Sequence, residues 1–225
     1  MKALYCTLLA SVVLLAACSE SQAPRAPEAK PVTIEAPAGR YQLDATHAGL
    51  IFSVQHLGLS NYLMRFTDYD VALDLVPDDL PASSVTVTID PTSVSTDYRG
   101  DFKATHPDSP YSSWEEDLAQ SPKFLNASEY PTIRYTSTAV TPQPDGTLTI
   151  NGQLEMLGQT RPVTLQASVV GSRAEHPFIG IGAVGFSATG SFKRSDFGMT
   201  HLLNPPLVGD TVTLRFEGEL LQVVE

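Results

Sequence analysis

The sequence predicts an all-β fold, an antiparallel sheet of about eight strands with one wet face and one apolar face. Three observations predict it. Apolar residues recur at every second position through most of the chain from Leu50 onward, which is the side-chain period of a strand and not of a helix. Turn signals such as Pro77-Asp78-Asp79, Pro144-Asp145-Gly146 and Leu157-Gly158-Gln159 separate these runs at hairpin spacing. One polar stretch, between Thr92 and Pro131, breaks the pattern and stands out as a long connection.

The N-terminus comes first in the chain and is not part of this sheet. Met1-Lys2 precedes an apolar run from Ala3 to Ala17. About 20 apolar residues are needed to cross a bilayer as a helix, so this shorter run behind a positive charge reads as a secretory signal peptide over residues 1–17. Its end, Leu15-Ala16-Ala17-Cys18, resembles the lipobox of bacterial lipoproteins. That resemblance implies cleavage before Cys18 and acylation of its thiol, anchoring the chain to a membrane. Cys6 would leave with the signal, so no internal disulfide is expected. Ser19 stands where lipoproteins retained in the inner membrane commonly have Asp, and the expected address is the periplasmic face of the outer membrane.

Residues 18–39 read as a tether, since Pro24, Pro27, Pro31 and Pro37 are spaced too closely for a helix. At about 3.1 Å per residue such a Pro-rich segment is a spacer and not a core element. The domain is expected to run from 40 to 225.

Within it, Ser84–Asp90 sets Val85, Val87 and Ile89 against Ser84, Thr86 and Thr88, and Asp68–Val76 sets Tyr69, Val71, Leu73 and Leu75 against an acidic outer face. Arg161–Gly171 and Thr211–Val224 alternate in the same way, with Val163, Leu165 and Ala167 and then Val212, Leu214, Phe216 and Leu220 on the apolar side. Weaker alternation lies at Leu50–Leu57, Thr132–Val140, Thr147–Leu157 and Val184–Lys193. A sheet of this kind hides its apolar face by closing into a barrel or by stacking as a sandwich. Alternation does not choose between them, but Gly180, Gly182, Gly185 and Gly190 mark strong coiling in one strand, which favours a barrel. The long connection holds one expected helix over Ser113–Ser121, capped by Ser112 or Ser113, with Glu115, Glu116 and Asp117 in its first turn and Trp114, Leu118 and Phe124 to pack it down.

Charge excludes one class of partner. The formal net charge is −11 with only 14 Lys and Arg, scattered, whereas nucleic-acid binding needs clustered cations. Gly180-Ile181-Gly182-Ala183-Val184-Gly185 matches a dinucleotide fingerprint by letter, but a strand continues after it where that motif needs a helix. No zinc spacing connects His47, His56, His106, His176 and His201, no cofactor is expected, and no Gly-x-Ser-x-Gly elbow supports serine catalysis. His47 and His56, with Asp44, read as a polar cluster ordering the first hairpin at one barrel end. Arg194 reads as the partner of a carboxylate such as Asp196 or Asp44.

The ordered landmarks carry more than any one of them. Tyr41-Gln42-Leu43-Asp44 with His47, Phe52, Val54 and His56, then Tyr130-Pro131-Thr132-Ile133, Gly152-Gln153-Leu154 through Gly158 and Arg161-Pro162-Val163-Thr164-Leu165, and finally Lys193-Arg194-Ser195-Asp196-Phe197-Gly198 with Val208-Gly209-Asp210, resemble the YceI family across the whole domain from Tyr41. The resemblance implies a lipocalin-like antiparallel barrel with an apolar axial pore that holds an isoprenoid lipid, such as an isoprenoid quinone or polyprenyl chain, without catalysis. Many members carry an Arg-Asp-x-His-Leu helix where this chain reads Glu115-Glu116-Asp117-Leu118-Ala119, so the basic head-group contact of that helix is missing. The pore candidates are Phe52, Val54, Phe66, Tyr69, Phe124, Tyr135, Phe186 and Phe192, with His56 as a head-group contact; each is equally a residue of an ordinary core. Two other readings remain at this point. One is a filled barrel acting as an adaptor through the loop Tyr98–Ser113, and the other is a lipid hydrolase using His56 with Asp44.

Overall fold

The computed structural model describes residues 32–204 and 206–224. The signal segment, Cys18 and the tether as far as Pro31 lie outside the described residues. Ten strands form a single antiparallel sheet: β1 (Gly39–His56), β2 (Ser60–Phe66), β3 (Tyr69–Leu75), β4 (Ser84–Ile89), β5 (Val94–Ser95), β6 (Ile133–Pro142), β7 (Leu148–Met156), β8 (Gln159–Arg173), β9 (Ala183–Lys193) and β10 (Val208–Gln222). Two short helices, α1 (Phe102–Thr105) and α2 (Trp114–Gln120), lie between β5 and β6. No helix among the described residues is long and apolar enough to cross a membrane.

The sheet closes. Its order β1-β3-β4-β6-β7-β8-β9-β10 returns to β1 through the β10–β1 pairing, so the barrel has eight strands and no sandwich seam. Each of the eight segments that alternate in the sequence is one barrel strand. β1 is the longest, and it serves two neighbours: Gly39–Gln42 pair with β3 and Leu50–His56 pair with β2. β2 and β3 therefore act as one bent strand broken at Thr67-Asp68. Opposite β10, β1 carries a bulge in which Asp44–His47 are extruded between the Leu43↔Leu220 and Ala48↔Gly218 pairs. Such a bulge sharpens local twist and re-aims side chains, and it explains why the first half of β1 shows no clean period of two.

The registers define two ends. Gly39, Leu75, Ser84, Leu148, Ala183 and Gln222 lie at the lower end, and His56, Ser60, Ile89, Met156, Lys193 and Val208 at the upper. The core divides the same way into an upper cluster around Met64, Leu118, Leu154 and Phe197 and a lower one around Tyr41, Leu73, Val184 and Leu220.

Both ends are covered by segments that are not barrel strands. At the lower end Val32 and Ile34 pack on the core, Ala36 is buried, the Glu35 N–H donates to Ser172 Oγ at 2.7 Å, and the Tyr41 hydroxyl donates to the Pro37 carbonyl at 2.7 Å. Residues 32–37, expected as the end of the tether, thus form a strap laid on the barrel, with Pro37 held by Tyr41. Over the upper end the long connection folds down as a lid. The Ser113 hydroxyl accepts from the Glu116 N–H at 3.1 Å, the Glu116 carboxylate accepts from the Ser112 N–H at 2.7 Å, and Glu115 accepts from the Thr96 hydroxyl. Glu115 and Glu116 thus cap α2 and tie it to the end of β5. Trp114 meets Phe124 edge-on at 5.8 Å, and Phe124 meets the His201 ring at 5.5 Å.

Candidate functional site

Strand alternation places every second side chain inside the barrel, yet the inside is not filled. Two apolar chambers lie along its axis, about 150 Å³ in the lower half and about 130 Å³ in the upper. Both are bordered by Leu50, Ile89, Leu154 and Leu214, which form a waist between them. No polar atom faces either chamber. Unfilled apolar space costs stability at roughly 24 cal/mol per Å³, so each chamber costs on the order of 3 kcal/mol when empty. A barrel of eight strands is wide enough for side chains or for one slender ligand. This one has kept room for the second.

Of the residues expected to line a pore, Phe52, Val54, Phe66, Phe124 and Phe192 border the upper chamber, with Phe52 and Phe66 stacked at 4.8 Å. Tyr135 and Phe186 border the lower one. Tyr69 packs half-buried between the two core clusters and borders neither. His56 is exposed at the upper end of β1, opposite Ser60 and Val208, and does not face the interior. It shares the parity of Phe52 and Val54, but a register shift against β10 falls between Val54 and His56, and it borders neither chamber. Sequence reasoning missed the waist as such. Ile89, Leu154 and Leu214 carry the right alternation, but only the closed register brings them to one level with Leu50. It also missed Ile34, which the strap places against the lower chamber.

The polar groups beside the chambers are turned away from them. The Tyr135 hydroxyl donates to the carbonyls of Ile150 and Val163 at 3.1 and 3.3 Å, and burial pushes its pKa up to about 12. Arg194, only 2% exposed, spends its guanidinium on three carbonyls at the rim of the upper chamber: Gly209 at 2.8 Å, Val208 at 3.0 Å and Met199 at 3.1 Å. It contacts neither Asp196 nor Asp44, which corrects the carboxylate pairing expected from sequence. Asp210 instead accepts from the Ser195 N–H at 3.0 Å and hydroxyl at 2.8 Å, locking the same turn. Burial lowers the pKa of Arg194, opposed by Asp210. Among the described residues, the Tyr62 hydroxyl is the buried side-chain polar atom left without a partner. Tyr62 pairs across the sheet with Val54, which borders the upper chamber.

The histidine cluster expected at one barrel end does not assemble. The Asp44 carboxylate accepts from Thr46 and meets His47 Nδ1 at 2.8 Å in the β1 bulge, whereas His56 lies at the far end of the strand. The hydrogen bond from His47 holds Asp44 down to about 2, and Asp44 in turn raises His47. Asp44 and His56 are thus not an acid and base pair. Asp44, His47 and Glu219 bring their donor atoms within 4.8 Å of one another on the surface and could receive a cation, a grouping hidden in sequence because Glu219 comes from β10. Gly180 takes a turn at φ 67°, Gly182 packs under the Tyr41 hydroxyl, and β9 follows, so the glycine motif opens a strand and no phosphate cradle.

Comparison with known proteins agrees with this architecture. A family model described as a YceI-like domain matches residues 41–220. Protein YceI of Salmonella arizonae and of Salmonella enteritidis are each 34% identical over 188 residues, covering 83% of this chain and 90% of the relative. The crystal structure of Campylobacter jejuni YCEI protein superposes with a TM-score of 0.61 at 27% identity, over 76% of this chain and 90% of that one. Burkholderia cenocepacia BcnA (TM-score 0.62, 17% identity, 80% and 99% covered) and a polyisoprenoid binding domain from Saccharophagus degradans (0.55, 15%, 83% and 100%) share the fold. The chain belongs to the YceI-like family.

Proposed function

We propose that this protein binds a long apolar isoprenoid lipid, an isoprenoid quinone or polyprenyl chain, along the axis of its barrel, and that it stores or carries that lipid in the cell envelope while anchored through acylated Cys18. The observation that carries the reading is the pair of unfilled apolar chambers joined at one waist. A prenyl chain threading the waist would fill both, and at roughly 25 cal/mol per Å² its buried area supplies the affinity. The likeness to a solved polyisoprenoid binding domain supports the ligand class.

In this reading the head group sits at the upper end. Tyr62 offers a buried hydroxyl with no partner there, and such a group costs about 1–3 kcal/mol until something satisfies it. The filled-barrel adaptor reading has the chambers against it. The hydrolase reading loses its pair, since His56 and Asp44 are apart.

The test is a titration of the protein with a prenylated quinone, read by quenching of Trp114, the only tryptophan, which packs on the chamber-lining Phe124. Saturable one-to-one quenching is expected. Tyr62→Phe is expected to weaken the quinone severalfold and to leave a prenyl hydrocarbon unaffected; absence of any saturable uptake contradicts the proposal.

A further inference from the structure

The upper end carries a second feature that binding inside the barrel does not use. Leu57, Leu59 and Leu63 of the β1–β2 hairpin and Leu202 and Leu207 of the segment before β10 are all exposed, Leu59 by 83%. They belong to one platform. The Leu57 N–H donates to the Leu207 carbonyl at 2.7 Å, and the Leu207 N–H donates to that of Leu202 at 3.0 Å. Ile51, also exposed, shares the outward face of the hairpin with Leu63.

Two observations set this platform apart from scattered surface leucines. Leu57 and Leu202 both sit at positive φ, 54° and 61°, a conformation that glycine or asparagine adopts at lower cost and that hairpin turns normally assign to them. Here leucine holds both positions while showing its side chain to solvent, a choice that favours neither folding nor solubility. Charge is also sparse: residues 57–64 and 197–209 contain no Asp, Glu, Lys or Arg, in a chain of net charge −11, and Arg65 and Arg215 pair with Ile51 on the barrel wall below the leucines. Contiguous exposed apolar surface of this kind marks an interaction site.

We propose that the platform docks on the surface of a lipid bilayer, with the leucines entering the boundary between head groups and acyl chains. The chemistry of the patch selects this partner. Its exposed tips, Leu57, Leu59, Leu63, Leu202 and Leu207, are all aliphatic, without the aromatic anchors that dominate protein interfaces. Without charge it does not depend on anionic lipid, which the acidic remainder of the surface would repel. The lower end also exposes apolar residues, Val170, Phe178, Ile179, Val223 and Val224, but beside the charged Arg173 and Glu175. Docking has a consequence that rests on the proposed function: Met199, bordering the upper chamber, is three residues from Leu202, so the covered upper end of the barrel lies against the membrane that supplies the ligand.

The segment from Val32 to Glu225 contains every barrel strand, both core clusters and no cysteine, so it serves as the test protein. An environment-sensitive fluorophore is attached at Leu59→Cys or, at the opposite end, at Phe178→Cys, and phosphatidylcholine vesicles are added. The label at 59 is expected to shift to the blue, at least double in intensity, and be quenched by lipids brominated on the acyl chain, while the label at 178 stays unchanged. Leu57→Ser with Leu63→Ser is expected to lower vesicle partitioning at least tenfold and to leave quinone uptake from detergent within twofold. No response at 59 under saturating lipid, an equal response at both ends, or a response at 59 that needs protein concentration and no vesicles overturns the proposal. Vesicle binding without quinone uptake leaves docking standing and rejects the ligand instead.

Discussion

Tyr135 and Gly152 share one volume: a Cβ built on Gly152 would lie 2.4 Å from the Tyr135 ring, whose hydroxyl reaches past it to the carbonyls of Ile150 and Val163. The ring of β6 thus lies over the glycine of β7, covering the sheet where a side chain is missing, a known way to recover the stability that a strand glycine loses. It also sets the width of the lower chamber, since Tyr135 borders it.

Gly152→Ala is therefore expected to displace the ring. Losing the hydrogen bond that the hydroxyl shares between the two carbonyls, about 1 kcal/mol, and overpacking the wall predicts a loss of about 2–4 kcal/mol in all. Urea unfolding checks this. Tyr135→Phe, which keeps the ring, is expected to cost only about 1 kcal/mol.

Arg194 closes the upper rim by holding the carbonyls of Val208, Met199 and Gly209. Arg194→Met leaves those acceptors buried and unpaired. The expected loss is about 3 kcal/mol, a fall in Tm of about 6–12 °C for a chain of this size. Arg194→Lys is expected to recover little, because one ammonium cannot reproduce the planar fork.

In the proposed function the waist of Leu50, Ile89, Leu154 and Leu214 sets the length of ligand that can enter. Leu214→Trp is expected to fill it, reducing uptake of long prenyl quinones at least tenfold while short-chain analogues that fit the upper chamber bind within about twofold. Leu214→Ala is expected to merge the chambers and cost about 2–4 kcal/mol of stability in the empty protein, part of which a long ligand restores. Paired melting curves with and without ligand read both effects.

The Asp44–His47 pair in the β1 bulge predicts a pH window. Asp44 is lowered from 3.8 to about 2, so its contribution is present above 3.8 and fades as pH falls toward 2. His47 is raised from 6.5, so its contribution is present below 6.5 and fades as pH rises through its folded value. The difference in Tm between the protein and His47→Gln is expected to be greatest between 3.8 and 6.5 and to shrink toward both extremes. A difference that does not vary with pH would show the pair to be uncoupled from folding.

Strand periodicity made the barrel legible because each wall residue is either wet or dry, and Val85, Val87 and Ile89 or Val163, Leu165 and Ala167 record that choice directly. β2 was not legible, since exposed Leu63 stands between inward Tyr62 and Met64 and blurs the alternation. The first half of β1 was hidden by its bulge, and the strap Val32–Pro37 by prolines that also suit a linker. The partners of Arg194 could not be read at all, because backbone carbonyls carry no residue identity. The aromatic residues of the chambers were legible as candidates for a pore or a core, but whether they enclose space or fill it depends on summed side-chain volume against barrel radius, which pattern does not encode.

The central claim is that the barrel is a container for an isoprenoid chain. It is tested most directly by purifying the full chain from membranes of its native host under mild detergent and analysing its organic extract by mass spectrometry against an equal amount of the Leu214→Trp variant. The account predicts a prenylated species near one mole per mole in the unmodified protein and a strong depletion in the variant. An extract with no prenylated species, from protein that also takes up none when it is supplied, would contradict it.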